Sequence, residues 1–221
     1  MPVNTEKYKE ILAEVKARNA ELVAVSKIQQ VSDIIAMYDL GQRDFGENYV
    51  QELVDKAGKL PPDIRWHFIG HLQTNKVKYI AGIVQLIQGV DSLKLLKEIN
   101  KESAKISKVT DVLLQVHIAK EETKYGFDAK MLEEVIKEVP ALKNIRVTGL
   151  MGMASFVDDM EQVRQEFRAL KEMFTSSKAI LPSITQLSMG MSADYKIALE
   201  EGSTMVRIGS MLFGFREARA S

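Results

Sequence analysis

The sequence predicts an α/β fold, a single (β/α)8 TIM-type barrel preceded by an extra N-terminal helix. Three observations predict it. Eight short strand-like runs follow one another, a helix or helical turn follows each, and the 221 residues contain no linker-like stretch that would divide them. The whole chain, 1–221, therefore reads as one domain.

The first helix is predicted over residues 5–19, where Tyr8, Ile11, Leu12 and Val15 form one apolar stripe behind Asn4, a good capping residue. The period then changes. Residues 22–26 are a compact apolar run of strand length, and residues 34–40 read as a short helix. Further strands are predicted at 43–47, 65–69, 84–90, 112–118, 147–151, 186–188 and 205–208. Helices are predicted at 49–58, 92–107, 128–139, 160–177 and 192–201. The helix over 128–139 puts Met131, Leu132, Val135, Ile136 and Val139 on its core side, and the next does so with Val163, Phe167, Leu170 and Phe174. Alternating βα units imply a parallel sheet, and eight of them imply closure; an open doubly wound sheet is the alternative.

Composition narrows the function classes. Lys and Arg number 30 and Asp and Glu number 30, so the formal charge is zero and nothing marks a nucleic-acid partner. The longest apolar runs are far shorter than a membrane span, and residues 1–10 carry no apolar leader. With no cysteine there is no disulfide framework, thiol nucleophile or thiolate metal site. Three histidines, His67, His71 and His117, lack metal-ligand spacing. A cytoplasmic protein is expected, with no membrane or nucleic-acid partner.

Lys27 ends the first strand with the parity of Val23 and Val25. If those two face the barrel interior, Lys27 stands in the C-terminal mouth, where barrel sites lie. Partial desolvation there raises the neutral fraction of the amine, and a neutral lysine attacks aldehydes to form a Schiff base. A solvated lysine closing a strand is the other reading. Two later segments add to it. Ser188 ends the seventh strand, Met191 and Ser192 follow it, with Ser192 placed as a helix N-cap, and Gly209 and Ser210 follow the eighth. Loops after these strands recur as the phosphate site of this fold, although ordinary turns of small residues would look the same. Arg207 is a cation inside an apolar strand. A Schiff-base lysine, a phosphate cradle and an arginine between them are the parts of a site for pyridoxal 5'-phosphate.

Several segments carry a resemblance. They are Ala24-Val25-Ser26-Lys27, Phe45-Gly46-Glu47-Asn48-Tyr49-Val50-Gln51-Glu52, and the run from Trp66 to Lys76. Gly149-Leu150-Met151, the run from Leu187 to Ser192 with Asp194, and the run from Gly202 to Gly209 complete them. Together they resemble the pyridoxal phosphate homeostasis protein family over nearly the whole chain. The resemblance implies a barrel similar to the N-terminal domain of alanine racemase, with the cofactor held on Lys27. It implies phosphate contacts from Ser188, the backbone around Met191 and Ser192, and Gly209 with Ser210. Arg207 would face the pyridine nitrogen and Asn48 would line the mouth. Ser210 stands where the family often has threonine, and His117 and the Gly152-Met153 pair also depart from its pattern.

Glu47 and Asp91 end strands and are read either as acids in the mouth or as helix caps. Met151, Met153, Met189 and Met191 read first as packing. The functional expectation is a non-catalytic carrier of pyridoxal phosphate, monomeric, with pyridoxal phosphate-dependent apoenzymes as partners. Like charge on Arg207 disfavours protonation of the ring nitrogen and weakens the ring as an electron sink. The alternatives are a racemase-like enzyme using the same cofactor and a class I aldolase-like barrel in which Lys27 attacks substrate directly.

Overall fold

In the computed structural model, which describes residues 3–119 and 125–214, eight parallel strands close into the predicted barrel. The strands are β1 (Glu21–Val25), β2 (Asp44–Glu47), β3 (Arg65–Phe68), β4 (Leu86–Val90), β5 (Thr110–Val116), β6 (Ile145–Gly152), β7 (Gln186–Ser188) and β8 (Met205–Ile208). The helices are α1 (Thr5–Ala17), α2 (Val31–Asp39), α3 (Val50–Ala57), α4 (Val77–Ile80), α5 (Leu93–Lys105), α6 (Ala129–Glu138), α7 (Met160–Ile180), α8 (Tyr195–Glu200) and α9 (Ser210–Phe213). Each strand pairs with the next, and β8 returns to β1 with Val23 opposite Arg207.

Strand parity divides the core in two. Val23, Leu86, Leu113, Met151 and Met205 pack inside the barrel, with Met153 against them. The other parity, including Ala24, Phe45, Phe68 and Val206, meets the helices in the larger outer core. The α1 stripe joins that outer core through Tyr8, Ile11 and Val15, with Asn4 capping the helix by accepting from the Lys7 amide at 3.0 Å. Tyr8 donates to Gln42, whose amide in turn donates to the Leu22 and Asp44 carbonyls, so α1 is tied to β1 and β2.

Most boundaries shift by one to three residues from the sequence reading: α1 ends at Ala17, the second helix begins at Val31, β5 spans Thr110–Val116, β6 extends over Ile145–Gly152, α7 runs on to Ile180, and α8 starts at Tyr195 rather than at 192. Met131 is 53% exposed, because the inward stripe of α6 is Leu132, Val135 and Ile136. The α7 stripe of Val163, Phe167, Leu170 and Phe174 is buried as predicted.

Gly190 sets the chain path between β7 and α8. Its φ of +98° lies in the left-handed region, and a Cβ there would stand 2.5 Å from the Ala198 Cβ. Its carbonyl accepts from the Arg207 amide at 3.0 Å, tying this turn to β8. Gly190→Ala should therefore add a strained backbone to an overpacked contact, each costing on the order of 1–3 kcal/mol. Urea unfolding should show the loss.

Candidate functional site

Arg207 lies inside the barrel and is 4% exposed. Its guanidinium donates to Ser188 Oγ at 2.6 Å and to the Gly152 carbonyl at 3.0 Å. Ser188 donates to Gln88 Oε1 at 2.7 Å, and Gln88 Nε2 meets His67 Nδ1 at 3.0 Å. His67 Nε2 lies 3.1 Å from Asp44 Oδ1, and Asp44 holds Arg65 at 2.7 and 2.5 Å. The donors all run one way, from the Arg207 cation to the Asp44 anion, so His67 accepts at Nδ1 and donates at Nε2. Burial lowers the Arg207 pKa to about 10, against the opposing pull of the Asp194 carboxylate, and the group stays cationic at neutral pH.

Lys27 follows β1 in a tight turn and is partly buried. The Ser26 amide still bonds the Gly46 carbonyl at 2.9 Å, which extends the β1–β2 pairing to the residue before Lys27. Asn48 follows β2 on the neighbouring strand end. Its Oδ1 is buried and has no hydrogen-bond partner among the described residues. Gly70 packs directly on it: a Cβ at Gly70 would lie 2.4 Å from the Asn48 carbonyl oxygen.

The loops after β7 and β8 meet. The Gly209 amide donates to Ser192 Oγ at 3.4 Å, and the Met191 amide donates to Asp194 at 2.6 Å. Ser192 is thus not the N-cap the sequence suggested. Asp194 occupies that position, because residues 192–194 form a turn before α8 begins. Ser210 and Met211 open α9, whose first amides have no carbonyl one turn behind them. Gly209 leaves this edge thin, with Val25 the nearest neighbour to any added Cβ, at 3.4 Å.

The structure therefore gathers Lys27, Asn48, Met191, Ser192, Gly209 and Ser210 at one end of the barrel, over Arg207. Ser188 sits deeper, fully buried between Arg207 and Gln88. A groove of about 580 Å³ opens beside Asn48, lined by Tyr49, His71, Lys76 and Tyr79 among others. Glu47 has the outward parity of Phe45 and meets Lys56 of α3 at 2.8 Å, while Asp91 pairs with His71 at 2.9 Å. Met151 and Met153 pack within the barrel and Met189 in the outer core. Sequence reasoning passed over Gln88, although a glutamine with the parity of Leu86 in an otherwise apolar strand was the available signal.

The residues present suit a flat anionic aldehyde with a ring nitrogen. The turn after β1 carries a lysine, a buried guanidinium lies on β8, and the loops after β7 and β8 meet through Ser192 and Gly209, while the buried Asn48 Oδ1 has no donor among the described residues. Burial, taken alone, would raise the Asp44 carboxyl; the bonds to Arg65 and His67 outweigh it and hold the group below the ordinary aspartate value of 3.8. A depressed value means stability present above pH 3.8 and lost as pH falls through the folded pKa. Asp44→Asn should accordingly flatten the acid limb of a stability–pH profile below about pH 4. Gln88→Leu should cost about 1–3 kcal/mol in urea unfolding, since it strands the Ser188 hydroxyl and His67 Nδ1.

Comparison with known proteins identifies the family and the fold. The alanine racemase N-terminal domain profile matches residues 4–217. The "Pyridoxal phosphate homeostasis protein" of Aquifex aeolicus is 42% identical over 200 residues, covering 90% of this chain and 88% of that one. The human protein of the same name is 39% identical over 210 residues, covering 89% of this chain and 76% of the other. PipY of Synechococcus elongatus, solved without PLP, superposes with a TM-score of 0.90 at 30% identity, covering 95% of this chain and 99% of that one. Its structure with PLP bound gives 0.84 at 31%, covering 93% and 99%. Alanine racemase of Streptomyces lavendulae shares the fold, with a TM-score of 0.78 at 14% identity over 98% of this chain and 59% of that one. Sequence identity and barrel geometry agree: the chain belongs to the pyridoxal phosphate homeostasis protein family, on the alanine racemase N-terminal barrel.

Proposed function

We propose that this protein binds pyridoxal 5'-phosphate and holds it for delivery to pyridoxal phosphate-dependent apoenzymes, without turning over a substrate of its own. The observation that carries the reading is the buried Arg207 guanidinium, set beneath a mouth where the Lys27 turn meets two loops of small residues. The relatives' name, and the PLP-bound form of PipY, support the same ligand. When bound, the cofactor supplies an aldehyde carbon and an electron-accepting pyridine ring.

The chain's own residues divide the work. Lys27 supplies the amine for the aldehyde. Ser192, Gly209, Ser210 and the backbone at Met191 hold the phosphate, and Asn48 Oδ1 accepts from the ligand at the mouth. Arg207 has donors only, so the group it can face is an acceptor, and its charge repels a second cation at the same spot. It therefore keeps the ring nitrogen unprotonated and the bound cofactor a weak electron sink. Ser188 acts one layer below, fixing the guanidinium that does this. The carrier works as a monomer in the cytoplasm. Balanced charge, the absence of cysteine and, among the described residues, no helix long and apolar enough to cross a membrane accord with that setting.

Borohydride reduction of the loaded protein followed by peptide mapping should place the pyridoxyl group on Lys27; an adduct confined to another lysine refutes the assignment. Lys27→Ala should lose the visible absorption band but keep weak binding in a dialysis assay. Charge-assisted hydrogen bonds to the phosphate, about 1.5–3 kcal/mol each, would survive the substitution. Racemisation of alanine and other amino acids should be negligible across neutral pH. Turnover at roughly 1–1000 per second would replace the carrier with an enzyme.

A further inference from the structure

The turn that presents Lys27 is strained and externally held. Ile28 has φ +64°, a left-handed conformation that a β-branched residue rarely adopts. Its amide donates to Glu52 Oε1 at 2.5 Å, across from α3. The Ser26 carbonyl accepts from the Gln29 amide at 3.0 Å and from Lys56 Nζ at 2.7 Å. Lys56 also reaches Glu47 Oε1 at 2.8 Å and Glu52 Oε1 at 2.7 Å, so its three N–H donors are all engaged. Ser26 Oγ closes the set on Glu47 Oε1 at 2.6 Å.

The residues on both sides of Lys27 are thus gripped by one nearly buried ion triad. Lys56 is 6% exposed at its side chain, Glu47 is wholly buried, and Glu52 is 22% exposed. Simple packing of α3 against the barrel does not call for such an arrangement, because a helix face buries against strands through apolar contacts. Here three charged side chains from the end of β2 and from α3 converge on backbone atoms of a two-residue turn after β1.

We propose that Glu52 and Lys56, anchored by Glu47, are positioning residues that hold the Ser26-Lys27-Ile28 turn in its left-handed form and so keep the Lys27 amine at the barrel mouth. Glu52 supplies the acceptor that fixes Ile28, and Lys56 fixes the preceding carbonyl and orients Glu52. The proposal rests on the reading that Lys27 is the residue that bonds the cofactor, but the turn itself is testable without any cofactor.

Glu52→Ala removes the acceptor from a partly exposed position. In the cofactor-free protein, amide hydrogen exchange at Ile28 should speed up at least tenfold in Glu52→Ala, while the β1 amides stay protected. With pyridoxal phosphate added, the rate at which the visible band forms should fall about tenfold. Ile28→Gly placed in the Glu52→Ala background should restore that rate, since glycine adopts the left-handed turn without the clamp. Lys56→Met is the second arm and should speed Ile28 exchange as well. Unchanged Ile28 exchange in Glu52→Ala, or slowed loading that Ile28→Gly fails to restore, overturns the proposal. Should the parent take no adduct on Lys27, the cofactor reading falls by itself, and Ile28 exchange still decides whether the clamp exists.

Discussion

A guanidinium enclosed in a parallel barrel has no water to hydrate it, and every one of its donors that lacks an acceptor destabilises the fold. Arg207 is in that position, and the interior of this barrel is arranged to receive it. Where such barrels are usually filled with branched aliphatic side chains, a line of polar groups runs from Ser188 through Gln88 and His67 to Asp44. Each middle member both accepts and donates, so no group along the line is left over. The line begins on a cation and ends on an anion, an order in which each bond polarises the next. Val23, Leu86, Leu113, Met151 and Met205 pack inside the barrel around the line.

That column ties the floor of the mouth to the far end of the barrel. Asp44 and Arg65 form its base, where Arg65 is half-exposed and a small cavity of about 160 Å³ is lined by Asp44, Arg65 and His67. Above Arg207 the character changes. The residues gathered at the mouth come from the ends of β1, β2, β7 and β8, and most of their polar contacts go to backbone atoms. A rigid, fully satisfied interior beneath a rim of turns and loops is a construction suited to holding a ligand in one orientation.

The order of the elements was legible in the sequence because a period of 2 in short apolar runs and of 3.6 in longer ones reflects which faces are buried. The parity of Val23, Val25 and Lys27 suggested a lysine at the strand end, but β1 stops at Val25 and Lys27 sits in the turn that follows; the isolated charge of Arg207 marked β8. Boundaries were less legible where capping residues compete. Ser192 and Asp194 are both good caps, yet Asp194 at the cap position makes no side-chain bond to the helix, because it accepts the Met191 amide, and Ser192 Oγ accepts from Gly209 instead. Met131 shows the same limit, since its apolar character alone does not tell the rim of a helix stripe from its centre.

The sequence by itself determined the barrel and its eightfold alternation, and it singled out Lys27, Arg207 and the small-residue loops after β7 and β8 as candidates, because each of these leaves a local signature in spacing or in an isolated charge. Tertiary structure decided what those groups lean on. Gln88, His67 and Asp44 lie on three different strands, and Glu47, Glu52 and Lys56 reach back to β1 from its neighbours. Their partners are set by barrel closure and register, which bring side chains 21 to 100 residues apart within hydrogen-bond distance. No local pattern encodes such a meeting, because hydrogen bonds depend on distances that only the closed sheet fixes.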